Sequence, residues 1–424
     1  MQNKYKDLTA TWMFSFLALG ISLPFTATYA EDGVTDNEIM IGGVMDLEGR
    51  SSGLGLGMKA GIEAALEGQT VAGRKVRFLA ANDSYTPEKT VEATQKLIEQ
   101  KVLAFAGNVG TPTSKAALPL LEQHKIPAVG FFTGAGLLRP GKGDILNFRA
   151  SYVQETKAVI SKALQHGIPA SGVCAYVQND AYGMAGVMGI RDALQDAKGE
   201  PATLKALDDI LAMEGEEPAR NNKGPVGVYA RNTFIARDGY DSLKAWEKQQ
   251  GTNCQLIVTV GTYESIARFV AYAHSKAEPW IFSAVSFTGA DSFLKALSKF
   301  DVSDRVVMTQ VVPLPDSDLP IVQEARQALG KEYGYVSQEG YIVGKLLLHG
   351  LRKLETDSKP LTRSNFLAAI KGQSFDLGGL NMDFSNDNQG SDLVVMTVLS
   401  QDKWLTMPDS AWRNWVKPSE TKTN

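Results

Sequence analysis

Phe132-Thr133-Gly134-Ala135 recurs letter for letter as Phe287-Thr288-Gly289-Ala290, and each copy trails a Val-Gly-Thr, Val109-Gly110-Thr111 in the first half and Val260-Gly261-Thr262 in the second. A four-letter word repeats by chance in a chain of 424 residues, so the weight lies in context. In each half both words follow an apolar, β-branched-rich run, at 102–106 and 128–131, then at 255–260 and 280–284. That places them at strand ends. In an open α/β sheet the crevice outside the carboxyl ends of the strands is where ligands bind, and two such sheets facing each other would close around one small molecule. The expected fold class is α/β, with two doubly wound parallel-sheet lobes.

Outward from these words, strands and helices alternate, as parallel sheets with right-handed crossovers require. Strands are expected at 39–45 and 76–81 in the first half, with a helix around 58–67 whose Met58, Ile62, Ala65 and Leu66 recur at the offsets of one buried stripe. Thr86 and Pro87 start the next helix, with a capping hydroxyl and an imino acid at the first helical position. A helix at 112–124 completes the first series. The series restarts after Arg149-Ala150-Ser151-Tyr152 with a strand at 172–177. Residues 207–225 lack an apolar period and read as a surface excursion. Strands at 226–229 and 306–310, helices at 239–250 and 263–274 and one from Ala290 follow, then helices at 321–333, 337–354 and 363–371 and a strand at 393–400.

The first thirty residues read as a cleaved secretory signal peptide. Lys4 and Lys6 make a positive start, 12–23 is mostly apolar, and Thr28 and Ala30 are small residues at the −3 and −1 positions of a cleavage site. An uncleaved anchor needs about 20 apolar residues, and Asp7, Thr9, Thr11, Pro24 and Thr26 leave too few. With Lys4, Lys6 and Asp7 removed, the formal charge moves from −4 to −5. A phosphate-neutralising basic stripe is absent, so nucleic acid is not an expected partner. Secretion permits disulfides, yet Cys174 and Cys254 lie in or beside neighbouring expected strands, where a bridge would strain the bond geometry. Two buried free thiols are the reading.

Chemistry-bearing motifs are scarce. Gly55, Gly57 and Ala60 match the G-x-G-x-x-A spacing, but residues 46–54 separate them from their strand, and Asp83 comes later than a dinucleotide fold places its acid. They read instead as a flexible loop that approaches a ligand ahead of a helix N-terminus. His124, His166, His274 and His349 fall late in expected helices, where a positive charge suits the dipole. No carboxylate pair stands out for acid or base work. The chain is not expected to be an enzyme, and no cofactor or metal is expected.

The hydroxyls at strand ends are the positive sign. Thr111 and Thr133 lie where backbone N–H groups of following helices converge, which is how a protein holds a carboxylate without lysine or arginine. The alternative for each is a helix cap. Tyr182 and Tyr263 occupy matching strand ends in the second half, where an aromatic can cover a ligand and donate one hydrogen bond, or sit as an ordinary rim residue.

With these residues in view, the chain resembles the type I periplasmic solute-binding proteins of ABC importers, in the branch of the leucine/isoleucine/valine-binding proteins. The phrases that carry the resemblance are Gly73-Arg74-Lys75, Asn82-Asp83-Ser84-Tyr85-Thr86-Pro87, the segment 107–113, Phe148-Arg149-Ala150-Ser151-Tyr152, Asp180-Ala181-Tyr182-Gly183 and Thr309-Gln310-Val311-Val312-Pro313. The resemblance implies two lobes joined by a three-strand hinge, with 31–151 and 314–357 in lobe 1 and 152–313 and 358–424 in lobe 2. It implies that Thr111, Phe132, Thr133 and Gly134 grip the ligand's polar end, that Ser52 and Leu54 lie on a loop touching its side chain, and that Tyr182 and Tyr263 close over it. Phe287 stands where amino-acid binders carry an acid for the ammonium, with Asp291 four residues on, so an aromatic or aliphatic carboxylate competes with an amino acid. The implied partners are that small molecule and an ABC permease, or alternatively a membrane sensor; a periplasmic monomer is expected.

Overall fold

The computed structural model describes residues 31–140, 143–213 and 222–416; the expected leader and part of the 207–225 excursion lie outside them. Within the described residues the first sheet holds β1 Glu38–Met45, β2 Thr70–Val71, β3 Arg74–Asn82, β4 Ala104–Ala106, β5 Ala128–Val129 and β6 Ile145–Leu146, in the order β2-β3-β1-β4-β5-β6. Helices α1 Ser52–Leu66, α2 Pro87–Glu99 and α3 Thr111–Gln123 connect its parallel strands. Helix α4 Tyr152–Gln165 leads into the second sheet, whose parallel part is β7 Val173–Gln178, β8 Val226–Tyr229, β9 Leu256–Val260, β10 Ile281–Ala284 and β11 Val306–Gln310. Between them run α5 Ala181–Asp196, α6 Pro201–Leu211, α7 Arg237–Gln250, α8 Tyr263–Ser275 and α9 Ala290–Ser298. Helices α10 Pro320–Leu329 and α11 Tyr335–Thr356 then return to pack on α1, followed by α12 Arg363–Ala368 and the hairpin β12 Ser374–Asp376, β13 Asn381–Asp383. Strands β14 Val395–Ser400 and β15 Lys403–Thr406 add antiparallel to β11, ahead of α13 Asp409–Trp415, and the second sheet runs β15-β14-β11-β10-β9-β7-β8. The two doubly wound, mainly parallel sheets are those the alternating pattern predicts.

Strands buried on both faces need continuous apolar runs, and β9 (Leu-Ile-Val-Thr-Val) and β11 (Val-Val-Met-Thr-Gln) are buried along their whole length. Strand order reverses around β1 and β4 in the first sheet and around β7 and β9 in the second. At such switch points the connections diverge to opposite faces and leave a crevice at the strand ends.

Several expectations are corrected. The glycines read as a loop lie in α1, which starts at Ser52. They serve close packing within the protein: a β-carbon on Gly55 would lie 2.6 Å from the Asp46 carbonyl carbon, and one on Gly61 would lie 2.5 Å from the Tyr341 amide of α11. Residues 201–211 form α6, burying Thr203, Ala206, Leu207 and Ile210, where composition suggests only a surface excursion from 207. Thr86 precedes α2, but its hydroxyl turns back to the Ser84 carbonyl and gives no cap bond. His349 lies well inside α11, stacked at 3.8 Å on Phe375.

Cys174 and Cys254 are joined as a disulfide. Cys174 is in β7, where its register partner is Ile257, while Cys254 precedes β9. The bridge thus runs from a strand to the loop entering its neighbour, and the 5.7 Å Cα separation falls within the usual range. The objection to strand-to-strand bridging does not reach this geometry. Replacing both cysteines by alanine is expected to lower stability by about 2–4 kcal/mol, read as a lower denaturant midpoint, with a slope no smaller than the parent's because the unfolded chain is freed. Equal midpoints for the oxidised and reduced protein would show that the bridge contributes nothing.

Candidate binding cleft

Loops leaving the carboxyl ends of β1, β4 and β5 face loops leaving β7, β9 and β10. On the first side, Gly110 takes a φ of 105° and caps α3, so Thr111 is the first helical residue and its hydroxyl makes no cap bond. That hydroxyl lies 2.6 Å from the Thr133 hydroxyl, both fully buried. The Ala135 amide donates to Thr133 Oγ1 at 3.3 Å. A single 3-10 turn, Gly136–Leu138, follows Thr133 in place of an α-helix. Gly134 abuts Tyr152, where a β-carbon would stand 2.8 Å from the ring.

Aromatic rings from both sides meet at Phe287, which sits 5.0 Å from Phe132, 4.8 Å from Tyr182 and 6.2 Å from Tyr85 between ring centroids. Tyr152 and Tyr182 are 5.1 Å apart. Tyr182 is set by Asp180, whose carboxylate accepts from the Tyr182 amide at 2.9 Å and caps α5. Tyr263 bridges the two sides, donating to the Arg50 carbonyl at 3.0 Å and accepting from the Gly53 amide at 3.4 Å beside Ser52. Leu54 packs against Gly289, so both residues expected on a ligand loop are in the first turn of α1. Phe132, Tyr182 and Phe287 are at most 1% exposed. An inner cavity of about 10 Å³ lies behind them against Ser286, Gln310 and Glu339, and a wider one of about 410 Å³ opens at the lip between Gly53, Asp291 and Gly334.

Three participants, Tyr85, Gln178 and Arg149, carry no role in the sequence reading. Ser84 and Tyr85 both adopt left-handed backbone, φ 51° and 55°, a conformation that non-glycine residues take at a cost and that clusters at functional sites. The Asp83 side chain holds this turn, accepting from the Tyr85 amide and the Thr90 hydroxyl at 2.9 and 2.8 Å. Burial raises the Asp83 carboxyl to about 6 against the pull of those two bonds. Tyr85 then accepts from Gln178 Nε2 at 3.1 Å across the cleft.

The third is Arg149, 1% exposed, its guanidinium 4.8 Å over the Phe132 ring. It donates to Ser286 Oγ and lies 3.5 Å from Glu155 and 3.6 Å from Glu339. Glu155 also accepts from the Ser286 amide and hydroxyl and from Thr309. Behind them Arg139 donates to the Arg149 carbonyl at 2.7 Å, and burial lowers its pKa to about 10. Burial pushes Glu339 up to about 7, only partly offset by Arg149. The phrase Phe148-Arg149-Ala150, one charge between buried apolar residues, was the available signal. Asp291, four residues past Phe287, accepts from the Tyr335 amide at 3.0 Å. Burial raises its pKa, while the amides of Tyr335 and Val336 pull it down.

A raised carboxyl pKa works against the folded state once the unfolded form ionises. Below the unfolded value near 4.5 Glu339 adds no pH dependence; from there to about 7 stability falls as pH rises, and above that the loss is constant. Glu339→Gln is therefore expected to flatten the fall in melting temperature between pH 4.5 and 7. Parallel profiles for the two proteins would remove Glu339 from that role.

Residues 38–206 match the family model described as periplasmic binding protein. No curated protein matches the chain. Among solved structures, a possible leucine/isoleucine/valine-binding protein from Rhodopirellula baltica SH 1 is 31% identical with a TM-score of 0.78, over 90% of this chain and 99% of that one. A branched-chain amino acid ABC transporter structure from Thermus thermophilus with bound valine is 14% identical with a TM-score of 0.70, over 89% and 99%. An ABC transporter solute-binding protein from R. palustris in complex with 4-hydroxybenzoate is 16% identical with a TM-score of 0.68, over 88% and 96%.

Proposed function

The chain belongs to the type I periplasmic binding proteins, a family that binds solutes and is not enzymatic, and from that premise we propose that it captures a small carboxylate-bearing solute, in the first instance an amino acid, and delivers it to an ABC importer. The Thr111–Thr133 pair carries this reading. One hydroxyl hydrogen is used within the pair, and the other is available to an acceptor, the neighbouring Tyr152 hydroxyl or an arriving carboxylate. The first amides of α3 lack intrahelical partners and add donors beside it. Phe132, Tyr182 and Phe287 supply apolar walls for the remainder of the solute.

A solute reaches these buried groups only when the lobes part, so capture is by hinge closure. Lobe 1 takes 31–151 and 314–357, and lobe 2 takes 152–313 and the end of the chain. Arg363 donates to the carbonyls of Val102, Leu103 and His124, and Asn388 to those of Leu138 and Ile145. These bonds favour placing the third crossover just after 390, with 358–390 riding on lobe 1. Phe287 supports a second reading of the cargo, a carboxylate with an aromatic or aliphatic body and no ammonium. Valine and 4-hydroxybenzoate, bound in two of the similar structures, are both carboxylates.

Thermal shift against amino acids and small carboxylates separates these readings. A ligand at about 100 times its Kd adds about 2.7 kcal/mol, a rise of a few degrees for a chain of this size; a panel without any shift would remove the cargo reading. With the responding compound, Thr111→Val is expected to weaken binding by roughly one to two powers of ten, the worth of a hydrogen bond to a charged group. Unchanged affinity in calorimetry would move the carboxylate away from Thr111. Small-angle scattering is expected to give a smaller radius of gyration at saturation, and an unchanged radius would contradict closure.

A further inference from the structure

Asp291 stands near the position where the resemblance leads one to look for an acid facing an ammonium, yet its carboxylate is engaged elsewhere. It lies in the first turn of α9, on the second lobe, and accepts from the amide of Tyr335, the first residue of α11, on the first lobe. An anion at a helix N-terminus satisfies an orphan amide and meets the positive end of the dipole. This contact crosses the lip of the cleft, beside the cavity lined by Gly53, Gly57, Lys295, Lys331 and Gly334. It exists only while the lobes are together.

Gly334 fits the same arrangement. Its backbone is extended, with φ −166°, so the conformation does not call for glycine. What excludes a side chain is Asp291: a β-carbon on Gly334 would stand 2.8 Å from Oδ1 and closer still to Cγ and Oδ2, the nearest atoms all belonging to that carboxyl group. A position free of backbone strain is thus kept small by a group on the opposite lobe.

We propose that Asp291 is the closing latch of this protein, a positioning residue that holds the lobes together by capping α11 from across the cleft and does not itself touch the solute. The proposal rests on the hinge-closure reading above and adds what fixes the closed form. Asp291 acts on affinity through the population of that form, since a binding-competent state that is only fractionally populated lowers apparent affinity by that fraction.

The test uses ligand-free, full-length mature protein carrying nitroxides on Glu88→Cys and Asp238→Cys, two exposed positions on opposite lobes. Cys174 and Cys254 stay oxidised and do not take label. Electron–electron resonance reads the interlobe distances in the parent, in Asp291→Ala and in Gly334→Ala. The closed-to-open ratio is expected to fall about tenfold in each variant, as loss of a charge-assisted hydrogen bond predicts, with the double variant no lower than the singles because both remove one contact. Melting temperatures near the parent's would accompany this, as neither change touches the interior of a lobe; if Asp291→Ala fails to fold, Gly334→Ala carries the test alone. An unchanged ratio in the variants, or a parent that populates only the longer distance, overturns the latch. If that distance stays single and unchanged also on adding the compound that raises the melting temperature, hinge closure itself fails.

Discussion

A guanidinium that is 1% exposed must find its neutralising charges inside the protein, and Arg149 finds them on separate parts of the chain. Glu155 comes from α4 and Glu339 from α11, while the neutral hydroxyl of Ser286, in the loop after β10, accepts a hydrogen bond from Arg149. Removing one partner of a buried pair is costly because the remaining charge is left uncompensated. In this conformation the first crossover, the second sheet and the returning helix are therefore tied together through a single side chain. The face of the same guanidinium lies on Phe132, so that ring is positioned by the same charge.

The sheets were largely legible because buried parallel strands leave an unmistakable signature, the apolar β-branched runs that end at 106, 260 and 310. What escaped did so for identifiable reasons. Gly55 and Gly57 carry the same local signal whether they loosen a loop or let a helix approach its neighbours, and only the position of Asp46 and Val336 decides between them. Helix α6 hides its buried Ala206, Leu207 and Ile210 among Lys205, Asp208 and Asp209. The disulfide depended on Cys254 falling short of β9, a boundary finer than pattern reading resolves.

For the cleft, strand-end position brought Thr111, Thr133, Tyr182 and Phe287 to notice, and the fold sets their side chains among one another. Tyr85, Gln178 and Arg149 went without a role because their partners are remote: Tyr85 meets Gln178 ninety-three positions away, and Arg149 meets Ser286 after 137. No local period encodes such a pairing. The left-handed backbone at Ser84 and Tyr85 is equally silent, since neither residue is glycine and the turn is stabilised by the Asp83 side chain.

Because either hydroxyl of the Thr111–Thr133 pair can be the donor within it, the outward hydrogen is not tied to one oxygen. Rotation of both O–H bonds reverses the internal bond and moves the outward donor by the 2.6 Å that separates the oxygens. If the pair anchors the solute as proposed, it has two settings and meets acceptors that arrive at slightly different depths without any shift of the backbone. Under that same proposal, discrimination among solutes falls to the packed rings of Phe132, Tyr182 and Phe287, whose shape admits or refuses the rest of the molecule. Changing one of those rings would alter which solute fits, while the anchor would go on accepting whatever acid the reshaped walls let through.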